Sequence, residues 1–475
     1  MRCPPKVFSR FHAMKVATLR GAFVLTAVVC GCAAATEGGP QVGDDSSTSP
    51  FEGGGGSDVK DPNDDALVNA DSPTGPLDGG PTAEVGDDAG ADIGVEVADA
   101  IAKSDGGRPG TFVHPGILVQ KGQLDFLKGK IAAGVEPWKS AFDKVKASRW
   151  ASISYAAAPR AIVECGSYSV PDFGCSDEKS DVIAAYTDAL IWSLTGDEAY
   201  AKKSIEIMNA WSAVLKDHTN SNAPLQSAWA ASVFPRAADI IKATYSGWAG
   251  ADVARFASML KNVYLPKVIK GAPGDNGNWE LSMAEATIAI GVFLDDRPTF
   301  DTAVSMWRKR VPAYIYLSSD GATPVPPPGA PKSGTALIDY WYKQSKLVDG
   351  VAQETCRDFG HLELGFSAMF NAAETARIQG VDLLGEESKR IAAGLEFNTQ
   401  YLDGVPVPSW LCGGTLNALA PGDTWEIVYN ALAGRLGVSL PHTKNVVTKN
   451  RPTGATHQMV WETLTHAEVG AVGLP

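Results

Sequence analysis

Cysteine is scarce in this chain of 475 residues: there are seven, and no pair is spaced as CxxC. Zinc-knuckle and thioredoxin-type chemistry are therefore excluded as the basis of function. Net positive charge is missing too, since 41 Lys plus Arg stand against 54 Asp plus Glu, a balance of −13. With no basic stripe, nucleic acid is excluded as a partner. Clear two-residue alternation over strand length is hard to find, which argues against an all-β fold.

What is present is unevenly distributed. MKVATLRGAFVLTAVVCGC, beginning at Met14, has a basic start, a short apolar core and small residues at a cysteine, the pattern of an export signal. The core is too short to stay in a membrane as a permanent helix. Gly31-Cys32 resembles a bacterial lipoprotein processing box, so residues 1–32 read as an export signal with Cys32 as the lipidated residue. Cys30, preceded by valine, is the weaker candidate, and a plain secretory signal is the alternative. Residues 33–110 hold 17 Asp plus Glu against 3 Lys plus Arg among Gly, Ala and Pro, and read as a disordered acidic tether. The remaining 365 residues, 111–475, carry only about −4 and form the folded domain. The expected location is periplasmic or cell-surface, on the outer membrane through Cys32, with the domain a monomer.

Four cysteines remain after export: Cys165, Cys175, Cys356 and Cys412. An even number in an exported chain favours disulfides, and three pairings are open. Cys165 with Cys175 closes a short loop and leaves Cys356 with Cys412.

Past Gly110 the periodicity is helical. SDVIAAYTDALIWSLTGDEAYAKKSIEIMNAWSAVL has apolar residues at three and four spacing, a stop at Gly196 and a start at Asp197, and reads as a helix hairpin. Further pairs follow at Leu225–Tyr245 with Ala251–Tyr264, Trp279–Leu294 with Thr299–Leu317, and Glu354–Gln379 with Glu386–Leu402. Repeated hairpins with short turns predict an all-α ring in which one layer of helices lines the centre and the other faces water. Pro324 to Pro331 interrupts the series as a stiff rim loop. Most of the dispersed tryptophans belong to the core, with sugar stacking as the functional alternative.

Two stretches carry candidate chemistry. In GDNGNWELSMAEATIAIGVFLDD, Asn278 sits where an N-cap belongs, with Trp279 and Glu280 opening the helix; its carboxamide can also bind a ligand carboxylate. In ETCRDFGHLELGF, Arg357 and His361 lie four apart, one turn along the same side of a helix, a placement that calls for something negative beside them. Asp358 either orients His361 or pairs with Arg357. His457 and His466 lie nine apart and do not match a helical metal pair. Glu426 and Glu462 read as helix-joining residues, and His114, His218 and His442 have no assigned role.

NGNW at 276–279 with GVFLDD, ETCRDFGH at 354–361, AETARIQGVDLL at 373–384, TWEIVYN at 424–430 and WETLTHAE at 461–468 together resemble the alginate-lyase-like family of polysaccharide lyases. The resemblance runs from Cys165 to Glu468. It implies an incomplete (α/α) toroid and β-elimination on a uronic-acid polymer of the alginate or glucuronan type, an anionic polysaccharide. It implies Asn278 and Arg357 as the groups that neutralise the uronate carboxylate, His361 as a neutral proton acceptor, and a tyrosine as acid or as both acid and base. Members of the family place a histidine directly after the asparagine and a tyrosine shortly after the arginine. Here Trp279 follows Asn278, and Leu362, Glu363 and Leu364 follow His361. The tyrosine is therefore sought elsewhere, with Tyr342 ahead of Tyr340, Tyr401 and Tyr186. The elimination requires no metal or organic cofactor. Two rivals remain, a non-catalytic carbohydrate-binding surface lipoprotein and an α/α-toroid glycoside hydrolase, which would need two opposed carboxylates in the cleft.

Overall fold

A computed structural model of the chain describes residues 111–469. The export signal, Cys32 and the 33–110 tether lie outside those residues.

The described part opens with α1 (Lys121–Ala132) and α2 (Trp138–Ala147), then β1 (Ile162–Cys165) and β2 (Asp172–Phe173). Helix hairpins follow: α3 (Cys175–Thr195) with α4 (Glu198–Val214), and, after β3 (Asp217–Thr219), α5 (Ala223–Thr244) with α6 (Gly250–Met259). Helix α6 runs on through a π turn at Leu260–Tyr264 and a last turn at Leu265–Val268. The series continues with α7 (Gly277–Phe293), α8 (Arg297–Arg310), the short α9 (Gly334–Tyr340), α10 (Phe359–Ile378) and α11 (Ser388–Leu402). Short α12 (Glu426–Tyr429), α13 (Pro441–Asn450), a β4–β5 pair (Ala455–Thr456, Met459–Val460) and α14 (Glu462–His466) end it.

The hairpin punctuation works as its chemistry dictates. Gly196 ends α3 at φ +74, a left-handed conformation cheap only for glycine, and Asp197 caps α4 by accepting from the Ala199 N–H at 3.0 Å.

Burial sorts the helices into two layers. Nearly every residue of α5, α7 and α10 is buried, and most of α3, so these four form the inner layer. A helix apolar on all sides must be covered on all sides. Helices α4, α6, α8 and α11 bury one face each and form the outer layer. Each hairpin reverses the chain, so the four inner helices run the same way and their N-termini gather at one end. The architecture is an open α/α toroid, as expected.

The C-terminal segment bridges the first and last inner helices. Trp461 donates from Nε1 to Thr187 Oγ1 of α3 at 2.8 Å, and Gln458 donates to Leu364 O at 3.0 Å and Ser367 Oγ at 2.9 Å of α10. Beneath it, Arg236 of α5 pairs with Glu285 of α7, which also accepts from Asn371 of α10 at 3.1 Å. Unpaired, each of those buried groups would be costly. Both disulfides form as the loop arithmetic suggested, Cys165 with Cys175 and Cys356 with Cys412. β1 pairs antiparallel with β2 and parallel with β3, and the first disulfide closes the β1–β2 loop that carries Tyr168.

Candidate active site

The N-terminal end of the inner layer holds the residues singled out from sequence, with two corrections. Helix α7 begins at Gly277 after Asn276, so Asn278 lies inside the first turn and is not the cap. Helix α10 begins at Phe359 with Asp358 as its cap, so Arg357 does not share a helix with His361; it sits on the preceding turn, closed by its own N–H to Glu354 O at 3.0 Å. The helical reading failed because Asp358, its backbone extended at φ −168, binds the His361 N–H at 2.8 Å and starts the helix there.

The two residues nonetheless meet, through a carboxylate that the sequence did not flag. Glu354, fully buried, accepts on Oε1 from Asn278 Nδ2 at 2.8 Å and from Arg357 Nη1 at 3.0 Å. Its Oε2 accepts from the Asn278 backbone N–H at 3.0 Å and the Tyr314 hydroxyl at 3.1 Å. Tyr314 is wedged between inner helices where only glycine fits: a Cβ on Gly277 would lie 2.1 Å from its ring, and one on Gly365 2.2 Å from its hydroxyl. Burial pushes the Glu354 carboxyl above its ordinary value, against the charges of Arg357 and His361 and the Asn278 N–H. For Arg357 burial works downward, and the charges of Glu354, Tyr342, Asp358 and Tyr168 overcome it and raise its pKa.

Asn278 is 1% exposed, and its amide Nδ2 holds Glu354. Its Oδ1 is buried, with no hydrogen-bond partner among the described residues. Arg357, with a side chain 12% exposed, and His361, at 24%, are the members that solvent reaches.

His361 is oriented by Asp358, whose Oδ2 lies 2.6 Å from Nδ1. The Arg357 Nε is 4.0 Å from the same oxygen, too long for a hydrogen bond, so Asp358 serves the histidine. Burial works to raise the Asp358 carboxyl, but the hydrogen bonds and charge of His361 and then the charge of Arg357 outweigh it and hold it low. A carboxylate on Nδ1 selects the tautomer with hydrogen there and leaves Nε2 as acceptor.

Two neighbours were missed. The Tyr168 ring, on the loop closed by Cys165 and Cys175, stands edge-on to His361 with centroids 6.4 Å apart, and the residue is 70% exposed. His457 stands edge-on to Trp229 at 4.5 Å, and burial, then the charges of Lys179 and His361, hold it well below its usual value and therefore neutral. Neither carried a helical spacing that would have tied it to Arg357. Tyr342 is half-buried, at φ +53 in the turn after α9, close enough for its charge to act on Arg357. Of the other tyrosines, Tyr340 is spent on Arg310 at 2.8 Å and Asp275 O at 2.9 Å, Tyr401 packs on Phe397, and Tyr186 is fully buried.

The two departures from the family pattern meet in space. Trp279 packs against an apolar cluster of Leu225, Trp229, Leu364 and Met459. Glu426 and Glu462 join elements as expected, Glu426 pairing with Arg451 at 2.5 Å and Glu462 accepting from the Glu426 N–H at 3.1 Å.

Residues 175–325 match the family model described as Alginate lyase. Alginate lyase A1-III from Sphingomonas species A1 aligns with a TM-score of 0.52 at 14% identity, covering 76% of this chain and 99% of that one. A histidine-to-alanine variant of A1-III in its apo form gives 0.52 at 14%, covering 72% and 93%, and a tyrosine-to-phenylalanine variant complexed with tetrasaccharide gives 0.51 at 14%, covering 72% and 94%. At such identities the likeness is one of fold. No curated protein matches. The family match spans α3 to α8 and takes in the first of the five motifs, and the solved structures share the toroid, so this chain is similar to alginate lyases in that segment and in fold.

Proposed function

We propose that the protein is a polysaccharide lyase that cleaves a uronic-acid polymer of the alginate or glucuronan type by β-elimination. The observation that carries the reading is that Arg357, fixed by Glu354, and His361, whose Nδ1 is held by Asp358 at 2.6 Å, lie beside the same Asp358 oxygen at the inner-helix N-termini. Helix N-termini and a guanidinium both favour an anion there.

The C5 hydrogen of a uronate is weakly acidic because its carboxylate already carries charge. Arg357 takes up the charge that flows into that carboxylate as the bond to hydrogen weakens. His361 Nε2 accepts the proton, the electron pair forms the C4–C5 double bond, and O4 departs with a proton from a phenol, for which Tyr342 is the assigned donor. Asn278 acts through Glu354 and is a positioning residue.

The apolar packing of Trp279 and Leu364 supports a second reading, binding without cleavage. Ultraviolet absorbance of the unsaturated product, followed across a panel of polyuronates, separates the two. Growth of that absorbance with wild type, lost in folded Arg357→Ala and His361→Ala chains, supports the lyase; tight binding with no new absorbance favours the second reading. Two disulfides fit an oxidising compartment and support the proposal that the protein is exported, tethered at Cys32. Labelling with palmitate in wild type and in Cys32→Ala tests the tether.

A further inference from the structure

A pocket of about 280 Å³ lies beside the Arg357 turn, lined in part by Tyr342, Lys343, Cys356, Trp410, Thr415 and Asn417. It shares a wall with the proposed site, because Cys356 precedes Arg357 and Asn417 Nδ2 donates to the Arg357 carbonyl at 3.3 Å.

The pocket is a built feature. Its floor is the Cys356–Cys412 disulfide, and the buried Gln344 pins one wall by accepting from the Cys412 N–H at 3.1 Å. That wall contains two successive non-glycine residues in the left-handed region, Tyr342 at φ +53 and Lys343 at φ +64, a strain that persists only where the surroundings enforce it. The opposite wall presents the half-buried Trp410 indole, backed by the Phe397 ring at 6.5 Å.

The charge pattern narrows the occupant. Among the described residues, no Asp or Glu lines the pocket. Lys343 does, and its ammonium has no ion-pair or hydrogen-bond partner among the described residues; Lys346 adds a second cation over the Trp410 ring, 4.7 Å from its centroid, and a sugar stacking on that face displaces it. The remaining lining supplies amides and hydroxyls from Gln344, Ser345, Thr415 and Asn417. One aromatic face, a lysine and several neutral polar groups suit a sugar ring that carries one carboxylate and several hydroxyls.

We infer that this pocket is a subsite for the uronate unit next to the one held at Arg357, with Trp410 stacking on its ring and Lys343 meeting its carboxylate. The inference rests on the lyase reading and specifies how the polymer lies across the site.

The test measures binding of alginate and glucuronan tetrasaccharides by calorimetry in a His361→Ala background, with Asp358→Asn as a second background should the first fail to fold. Neutral cellotetraose serves as the uncharged control. The expected result is a Kd about tenfold higher for each of Trp410→Ala and Lys343→Gln, with Trp410→Phe restoring affinity and cellotetraose insensitive to Lys343→Gln. An unchanged Kd in both variants, where Arg357→Ala weakens binding, overturns the subsite and leaves the lyase reading standing. If no polyuronate is bound or cleaved by the wild-type chain, both fall together.

Discussion

Asp358 holds His361 twice, by Oδ2 on the ring Nδ1 at 2.6 Å and by Oδ1 on the backbone N–H at 2.8 Å. One residue thus starts helix α10 and sets the tautomer of the histidine in its first turn. The two duties separate by substitution. Asn caps a helix about as well as Asp, so Asp358→Asn keeps the helix start, but its amide no longer requires hydrogen on Nδ1. The expected outcome is a stability change within about 0.5 kcal/mol and a loss of kcat of about 10²-fold or more, with KM little changed. Asp358→Ala loses the cap as well and adds about 1 kcal/mol of destabilisation. Denaturation and steady-state rates on the same preparations check both, and equal kcat for Asn and wild type would remove His361 from proton transfer.

Glu354 is the hinge between Asn278 and Arg357, and its removal is expected to damage fold and rate together. Glu354→Gln keeps the shape but takes from the guanidinium its nearest charge partner, leaving Asp358 at 4.0 Å, in a site almost closed to water. The expected destabilisation is about 3 kcal/mol, because breaking a buried pair strands the other charge. Asn278→Ala removes one donor to the same carboxylate and is expected to cost less, about 1–2 kcal/mol. Urea midpoints of the two variants decide it: Asn278→Ala as harmful as Glu354→Gln means that Arg357 is held by something else.

The helix hairpins were legible because their signals are local. Gly196 and Asp197 announce one boundary within two residues, and apolar spacing announces the helices on either side. The Arg357 turn was not legible, since only the Asp358 side chain tells α10 to begin one residue after it. Still less visible was Glu354, whose bond to Asn278 joins positions 76 apart, and no spacing rule reaches that far. Tyr168 and His457 approach the histidine and tryptophan of the cleft from short segments of positive φ, where periodicity carries no information. The family resemblance identified Asn278 and Arg357 as partners without showing that a protein carboxylate stands between them.

The Cys356–Cys412 bond anchors the turn that presents Arg357. It closes a loop of 56 positions, against 10 for Cys165–Cys175. Loop-closure entropy then assigns about 4 kcal/mol to the first and about 3 kcal/mol to the second. Paired Ala substitutions are expected to follow that order in thermal stability. Activity is expected to divide more sharply, because only the 356–412 pair adjoins Arg357. A Cys165→Ala/Cys175→Ala chain that loses activity while folded would instead give the Tyr168 loop a direct part in the reaction.

His466 makes the domain sensitive to mild acid. It is buried at the end of α14, with Nε2 3.1 Å from Leu118 O and Nδ1 2.8 Å from Thr465 Oγ1. Burial holds its pKa down at about 4, the charge of Glu374 opposing that shift and those of Arg435 and Arg377 adding to it. In the unfolded chain the imidazole titrates near 6.5. Between those values the unfolded state binds more protons than the folded one, so this contribution is complete above about pH 6.5 and is lost as pH falls towards about 4. The full span is worth about 3 kcal/mol. Glu363 and Glu462, raised by burial to about 8, titrate in the opposite sense and partly mask the slope in the wild-type profile. The difference between wild type and His466→Gln removes that masking. Urea unfolding of both chains from about pH 4 to about pH 7 is expected to show the variant losing less stability on acidification, by up to that amount. Parallel profiles would mean that His466 binds its proton equally well folded and unfolded, so that burial does not hold it down.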